Sequence, residues 1–168
     1  MDNSLAFLHD MISRIVPIHG VSVSSDGAYS IDYRSDPTEE QIATIQSIIA
    51  RFPLEIAKIE RRKIIDSEWL SVEAAGWDSG LGYCLGITPN DVALISGAFA
   101  LAKEAHAMGL PLPKFVAMDN STVEFSSITE MTMLLLRYGE ARANLASAFA
   151  ARRKAVDEAA SLEELESL

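Results

Sequence analysis

The chain has 168 residues, of which 49% are hydrophobic, 23% charged and 7% aromatic, a globular composition long enough to bury a core without disulfides or metals. Its formal charge of -10 is evenly spread, with 7 basic and 12 acidic residues in 1–76 and the same again in 77–168, so neither half offers the basic field that nucleic acid requires. No window reaches the ~20 apolar residues that span a bilayer, and the opening "MDNSLAFLHDMISRIVP" does not read as a secretory leader, so no membrane partner and a soluble compartment are expected.

Leu5, Leu8, Ile12 and Ile15 or Val16 recur at helical spacing until Pro17 ends the run, with Asn3 or Ser4 available as a cap. "VSVSSDGAYSIDY" at 21–33 then reads as a β-hairpin: Val21 and Val23 alternate on one strand, Ser25, Asp26 and Gly27 turn the chain, and Tyr29, Ile31 and Tyr33 alternate on the return. "DPTEE" announces a helix, with Asp36 as cap, Pro37 at the first helical position and Glu39 completing a capping box. Ile42, Ile45, Ile49 and Phe52 mark its face, and Pro53 predicts a bend or restart before a second long helix that reaches about Ala75.

Residues 76–88, "GWDSGLGYCLGIT", carry four glycines and read as a loop with aromatic anchors or a short strand between turns. Thr88, Pro89 and Asp91 cap a helix that runs to about Met108, with Val92, Ile95, Phe99 and Ala102 on its face. "KFVAMDNSTVEF" predicts a second hairpin. Ser127 and Glu130 then open a helix of about thirty residues, and "SLEELESL" ends in a short capped turn. The fold class expected is α+β, mainly helical, with two short β-hairpins and long amphipathic helices. The predicted domains are an N-terminal α-β-β-α subdomain over 1–53, a connector helix over 54–76, and a C-terminal helix-hairpin-long-helix subdomain over 77–168.

Reactive groups do not converge in the sequence. His9, His19 and His106 sit in unrelated contexts and Cys84 is the sole cysteine, so no metal-ligand spacing and no nucleophile with its base can be assembled. Gly80, Gly82 and Gly86 lack the Lys-Ser/Thr of a phosphate loop. No catalytic residue, metal or cofactor is therefore expected, and the remaining signal is periodic apolar surface. A thirty-residue helix extends ~45 Å, more than a small domain covers, which predicts a homo-oligomer, a trimer being one allowed form. The candidate interface is Ile128, Met131, Leu135, Tyr138, Leu145 and Phe149 on the long helix, with Ile56 and Ile59 on the connector. The alternative is an antiparallel pairing of 128–157 with 54–75 inside one chain.

"PIHGVSVSSDGAYSIDY" followed by "DPTEEQIATIQSII" resembles the opening of small tail-associated proteins of tailed bacteriophages. "NDVALISGAFALAKEAHAMGLPLP" and the hairpin and long helix after it are similar to the domain of unknown function that recurs at the end of phage tail and tail-fibre-associated chains. The hairpin "MDNSTVEFS" departs from those relatives, many of which carry a glycine and a histidine there. The resemblance implies a non-enzymatic structural component of a tail tip, baseplate or fibre. Its partners would be other phage tail proteins, and its locations the virion tail and, during assembly, the host cytoplasm. The alternatives are a non-virion fibre-assembly chaperone and a small host-directed binding protein.

Overall fold

A computed structural model of the chain describes residues 3–168, with Asn3 described for its backbone only, so the cap expected of Asn3 lies outside the described residues. The protein is α+β and predominantly helical. In chain order it comprises α1 (Asn3–Ser13), β1 (Ile18–Val23), β2 (Tyr29–Tyr33), α2 (Glu39–Ala75), β3 (Trp77–Asp78), β4 (Cys84–Leu85), α3 (Pro89–Ala107), β5 (Phe115–Val116), β6 (Thr122–Val123), α4 (Ile128–Glu158) and α5 (Leu162–Glu166). The strands form three separate antiparallel pairs, β1-β2, β3-β4 and β5-β6. The third pair beyond the two expected is made by the glycine-rich segment 76–88. The chain divides into two compact units, residues 1–62 with 156–168, and residues 63–155, so α2 and α4 each contribute to both.

In the first unit, Leu8, Ile12, Val16, Ile18, Ile45 and Phe52 form the buried core, against which Tyr29, Ile31 and Tyr33 pack from the hairpin. The Tyr29 ring meets Phe52 edge-on at 5.8 Å. The hairpin register slips between Ile18 and Gly20, a bulge that leaves His19 outside the alternation. Its turn closes through Gly27 N–H to the Ser24 carbonyl at 2.9 Å with Gly27 at φ +83°, a conformation that glycine adopts without a Cβ penalty.

Helix α2 starts later than the sequence suggests. The capping box is Thr38 with Gln41: Gln41 N–H donates to Thr38 Oγ1 at 3.3 Å, and Thr38 N–H donates to Gln41 Oε1 at 2.8 Å. Gln41 Nε2 also donates to the Ile15 carbonyl at 3.0 Å, which ties the helix start to the end of the α1 segment and favours this box over the Asp36–Glu39 one. Pro53 lies inside a continuous helix, so the helix does not restart there, and residues 54–75 of the predicted connector form the second half of α2. Lys58, 8% exposed, donates from Nζ to the Asp157 carbonyl at 2.9 Å, filling one of the acceptors left open at the end of α4.

In the second unit, α2 and α4 run antiparallel. Trp69 meets Phe149 edge-on at 5.0 Å, and Arg152 and Arg153 pair with Glu68 and Asp66 at 2.5 and 2.8 Å. The aromatic contact and the apolar burial beneath it stabilise the pairing more than these exposed ion pairs, each worth at most about 1 kcal/mol. Helix α3 begins as its sequence predicts, with a Thr88–Asp91 capping box and Pro89 in the first turn.

Candidate functional site

The segment 76–88 is the most elaborately held part of the second unit. Gly80 and Gly82, at φ +70° and +88°, turn β3 back onto β4, and Ser79, wholly buried, stitches the turn. Its hydroxyl donates to the Tyr83 carbonyl at 2.7 Å and accepts from Leu81 N–H at 3.0 Å. Helix α4 clamps this hairpin through two adjacent side chains and a third one turn further on: Arg137 donates to the Ser79 carbonyl at 3.2 Å, Tyr138 to the Gly86 carbonyl at 2.7 Å, and Arg142 Nε to the Ile87 carbonyl at 3.2 Å. Trp77 stacks edge-on against Tyr138 at 5.6 Å. Burial pushes the Tyr138 phenol pKa up. Burial, followed by the Glu130 carboxylate, does the same to Tyr83.

Concavities open along α3 and beside this hairpin. A cleft of about 510 Å³ opens between it and the 115–123 hairpin, lined among others by Asp78, Tyr83, Cys84, Met118 and Asp119. Asp78 accepts from Gly80 N–H at 2.8 Å and Asp119 from Ser121 N–H at 2.9 Å, so both carboxylates brace their own turns. The hydrogen bonds from Ser121 hold the Asp119 carboxyl below the usual carboxylate range. Both charged groups lining the cleft, Asp78 and Asp119, are anionic. His106 is in the last turn of α3, while His9 and His19 belong to the first unit. Among the described residues no group of three or more His, Cys, Asp or Glu side chains is placed to hold a metal.

A second concavity, about 300 Å³, runs between α3 and α4 over Phe99, Leu135, Tyr138 and Arg142, with Ser96 and Gly139 leaving room between the helices. A third, about 130 Å³, lies on another side of α3 between Leu94, Ile95, Val116 and Met118, with Gly86 and Asp91 beneath. Gly86 is close-packed there: a Cβ at this position would fall 2.3 Å from Asp91 Cγ. That carboxylate accepts from Thr88 N–H at 3.0 Å and from Thr88 Oγ1 at 2.6 Å, so the α3 cap and the clamped hairpin share one position.

The eight residues expected to meet a partner lie wholly or partly against their own chain. Met131 is fully buried and Tyr138 and Phe149 nearly so. Ile128 and Leu135 pack on the core of Ala102, Phe115 and Met131, Leu145 on that of Leu85 and Leu134, and Ile56 on that of the first unit. Ile59 is half-buried. The antiparallel α2–α4 pairing within one chain accounts for the Phe149 end of the stripe, and α3 with the hairpins covers the rest. Large apolar side chains are instead exposed where the periodic reading did not point: Leu94, Leu101 and Met108 along α3, Val116 and Met118 in and just after β5, and Met133 and Leu136 on α4. The sequence signal was a second apolar row on α3, repeating every seven residues beside the one formed by Ile95, Phe99 and Ala102. Comparison with family models, with curated proteins and with solved structures finds no match. Among the described residues no helix is long and apolar enough to cross a membrane.

Proposed function

We propose that this chain is a non-enzymatic structural component of a bacteriophage tail, at the tip, baseplate or fibre, acting through helical protein–protein contacts with other tail proteins and with copies of itself. The tail assignment rests on the sequence resemblance alone. The docking role rests on one observation of the fold: the polar side chains around the hairpin of 76–88 are spent on its own backbone, while Leu94, Leu101, Met108, Val116 and Leu136 stand 64 to 71% exposed. Large contiguous apolar exposure marks interaction surfaces more than reaction centres.

Mass spectrometry of purified particles tests the reading. Recovery of this chain in stoichiometric amount with the tail supports it. Presence in lysates together with absence from particles would replace it with the assembly-chaperone role, and capture of a single host enzyme by the monomer would replace it with the host-directed one.

A further inference from the structure

We infer that the exposed row of α3 is a two-fold interface at which a second copy of this chain docks its own α3, antiparallel to the first. The inference deepens the docking reading above and rests on it, but it does not depend on the tail assignment.

Leu94, Leu101 and Met108 recur every seven residues on α3, two helical turns apart and therefore along one line of the helix. Leu94 also shares the 130 Å³ cleft with Val116 and Met118, which extends the patch onto the 115–123 hairpin, and Leu110 follows directly after Met108. These six are exposed by 64, 65, 71, 70, 44 and 54% in the order named, the equivalent of somewhat under four full side chains. At roughly 100 Å² for each complete side chain, that is about 400 Å² of apolar area per copy. Two copies supply about 800 Å², which matches the apolar share, about 65%, of an interface of roughly 1,200 Å² in all, the lower end of the standard size. The patch is as large as the largest that a typical monomer exposes, and such patches are often functional.

The occupant is set by self-complementarity. If Leu94 of one copy opposes Leu101 of the other, the two-fold axis passes by Gly97 and Ala98. A Cβ added at Gly97 meets nothing within 4 Å, so the two helices can approach closely there. The Leu94–Leu101 contact then occurs twice by symmetry. The row itself carries no charge, so the formal charge of -10 is kept off the contact.

Sedimentation velocity of the full chain tests this, run to about 100 µM, above the weakest affinity standard-sized interfaces show. Beside it, Leu94→Asp with Leu101→Asp should raise the dissociation constant by roughly 100-fold or more while leaving the helical circular dichroism unchanged. Gly97→Cys in a Cys84→Ser background provides a second measurement: oxidation should give a covalent dimer, whereas Ser71→Cys on α2 should not. A monomer at the highest concentration would overturn the inference, as would a dimer insensitive to the double substitution or a dimer that Gly97→Cys fails to cross-link. Each of these leaves the particle analysis, and with it the tail assignment, untouched.

Discussion

Adding one methyl group at Gly86 tests the account of the clamped hairpin most directly. Gly86 is buried and its φ is not in the left-handed region, so alanine carries no conformational penalty and the cost is steric. The new Cβ would lie 2.3 Å from both Asp91 Cγ and Oδ2, and something must yield. If the carboxylate stays, the hairpin is pushed away from Tyr138, an overpacking worth about 1 to 3 kcal/mol. If it swings out, Thr88 N–H loses its acceptor and the α3 cap is weakened, at about 0.5 to 2 kcal/mol. Either route puts Gly86→Ala near 2 kcal/mol of destabilisation, a fall in melting temperature of about 4 to 8 °C for a chain of this size. Urea unfolding followed by tryptophan emission suits the measurement, since Trp69 and Trp77 lie in the same unit as the perturbation. Asp91→Ala alone should cost about 1 kcal/mol for the reciprocal arm of the capping box. The double variant should cost little more than Asp91→Ala, because the obstacle is gone, giving a coupling near 2 kcal/mol. Additivity within about 0.5 kcal/mol, the scatter of independent sites, would refute the shared position.

Four further outcomes follow from the same geometry. Tyr138→Phe should destabilise the chain by about 1 to 3 kcal/mol, since the Gly86 carbonyl loses a buried donor. Both Tyr83 and Tyr138 have pKa values raised above the ordinary tyrosine value near 10.0, so the folded state holds their protons longer than the unfolded chain does. Their contribution is complete below pH 10 and declines as pH rises from there through the folded values; titrated unfolding should show this alkaline loss, and Tyr138→Phe should make it shallower. Pro53→Ala should stabilise α2 by as much as about 3 kcal/mol by restoring a helical hydrogen bond, read as a higher urea midpoint. Lys58→Ala should cost about 1 to 3 kcal/mol through the orphaned Asp157 carbonyl, whereas Arg14→Ala, which removes only an exposed pair with Asp10, should fall within about 0.5 kcal/mol on the same curves.

What could be read in advance was what local chemistry decides. The α3 start needs only Thr88, Pro89 and Asp91, three neighbours whose groups satisfy each other, and the α4 start needs only Ser127 and Glu130, with Ser126 donating the reciprocal bonds to the Glu130 carboxylate. At α2 the sequence offers two overlapping boxes, and the choice falls to Thr38–Gln41 because Gln41 also reaches Ile15, 26 residues away. The β3-β4 pair was illegible for the same reason. Two residues per strand carry no periodicity, and what holds them comes from elsewhere: Met118 N–H donates to the Cys84 carbonyl at 3.0 Å, and α4 supplies Arg137, Tyr138 and Arg142. The stripe on α4 was visible, but a period of 3.6 states that one face is covered without saying by what. Here the cover is its own chain.

The proposed docking surface rests on the contrast between α3 and α4 more than on either helix alone. On α4 the large apolar residues Met131, Leu134, Tyr138 and Phe149 are buried, and two of the arginines on that side serve backbone carbonyls of the hairpin of 76–88 or carboxylates of α2. That face is finished inside one chain. On α3 apolar residues occupy two sides: Ile95, Phe99 and Ala102 turn into the core, while Leu94, Leu101 and Met108 leave more than three fifths of their surface uncovered. A helix that is apolar on both sides is stable in water only when both sides are covered. Gly97 lowers the intrinsic helicity of α3 and, with the small alanines beside it, leaves the backbone approachable, an arrangement suited to a helix packed between two neighbours. One neighbour is the core of the second unit, and the other would be the second copy proposed above.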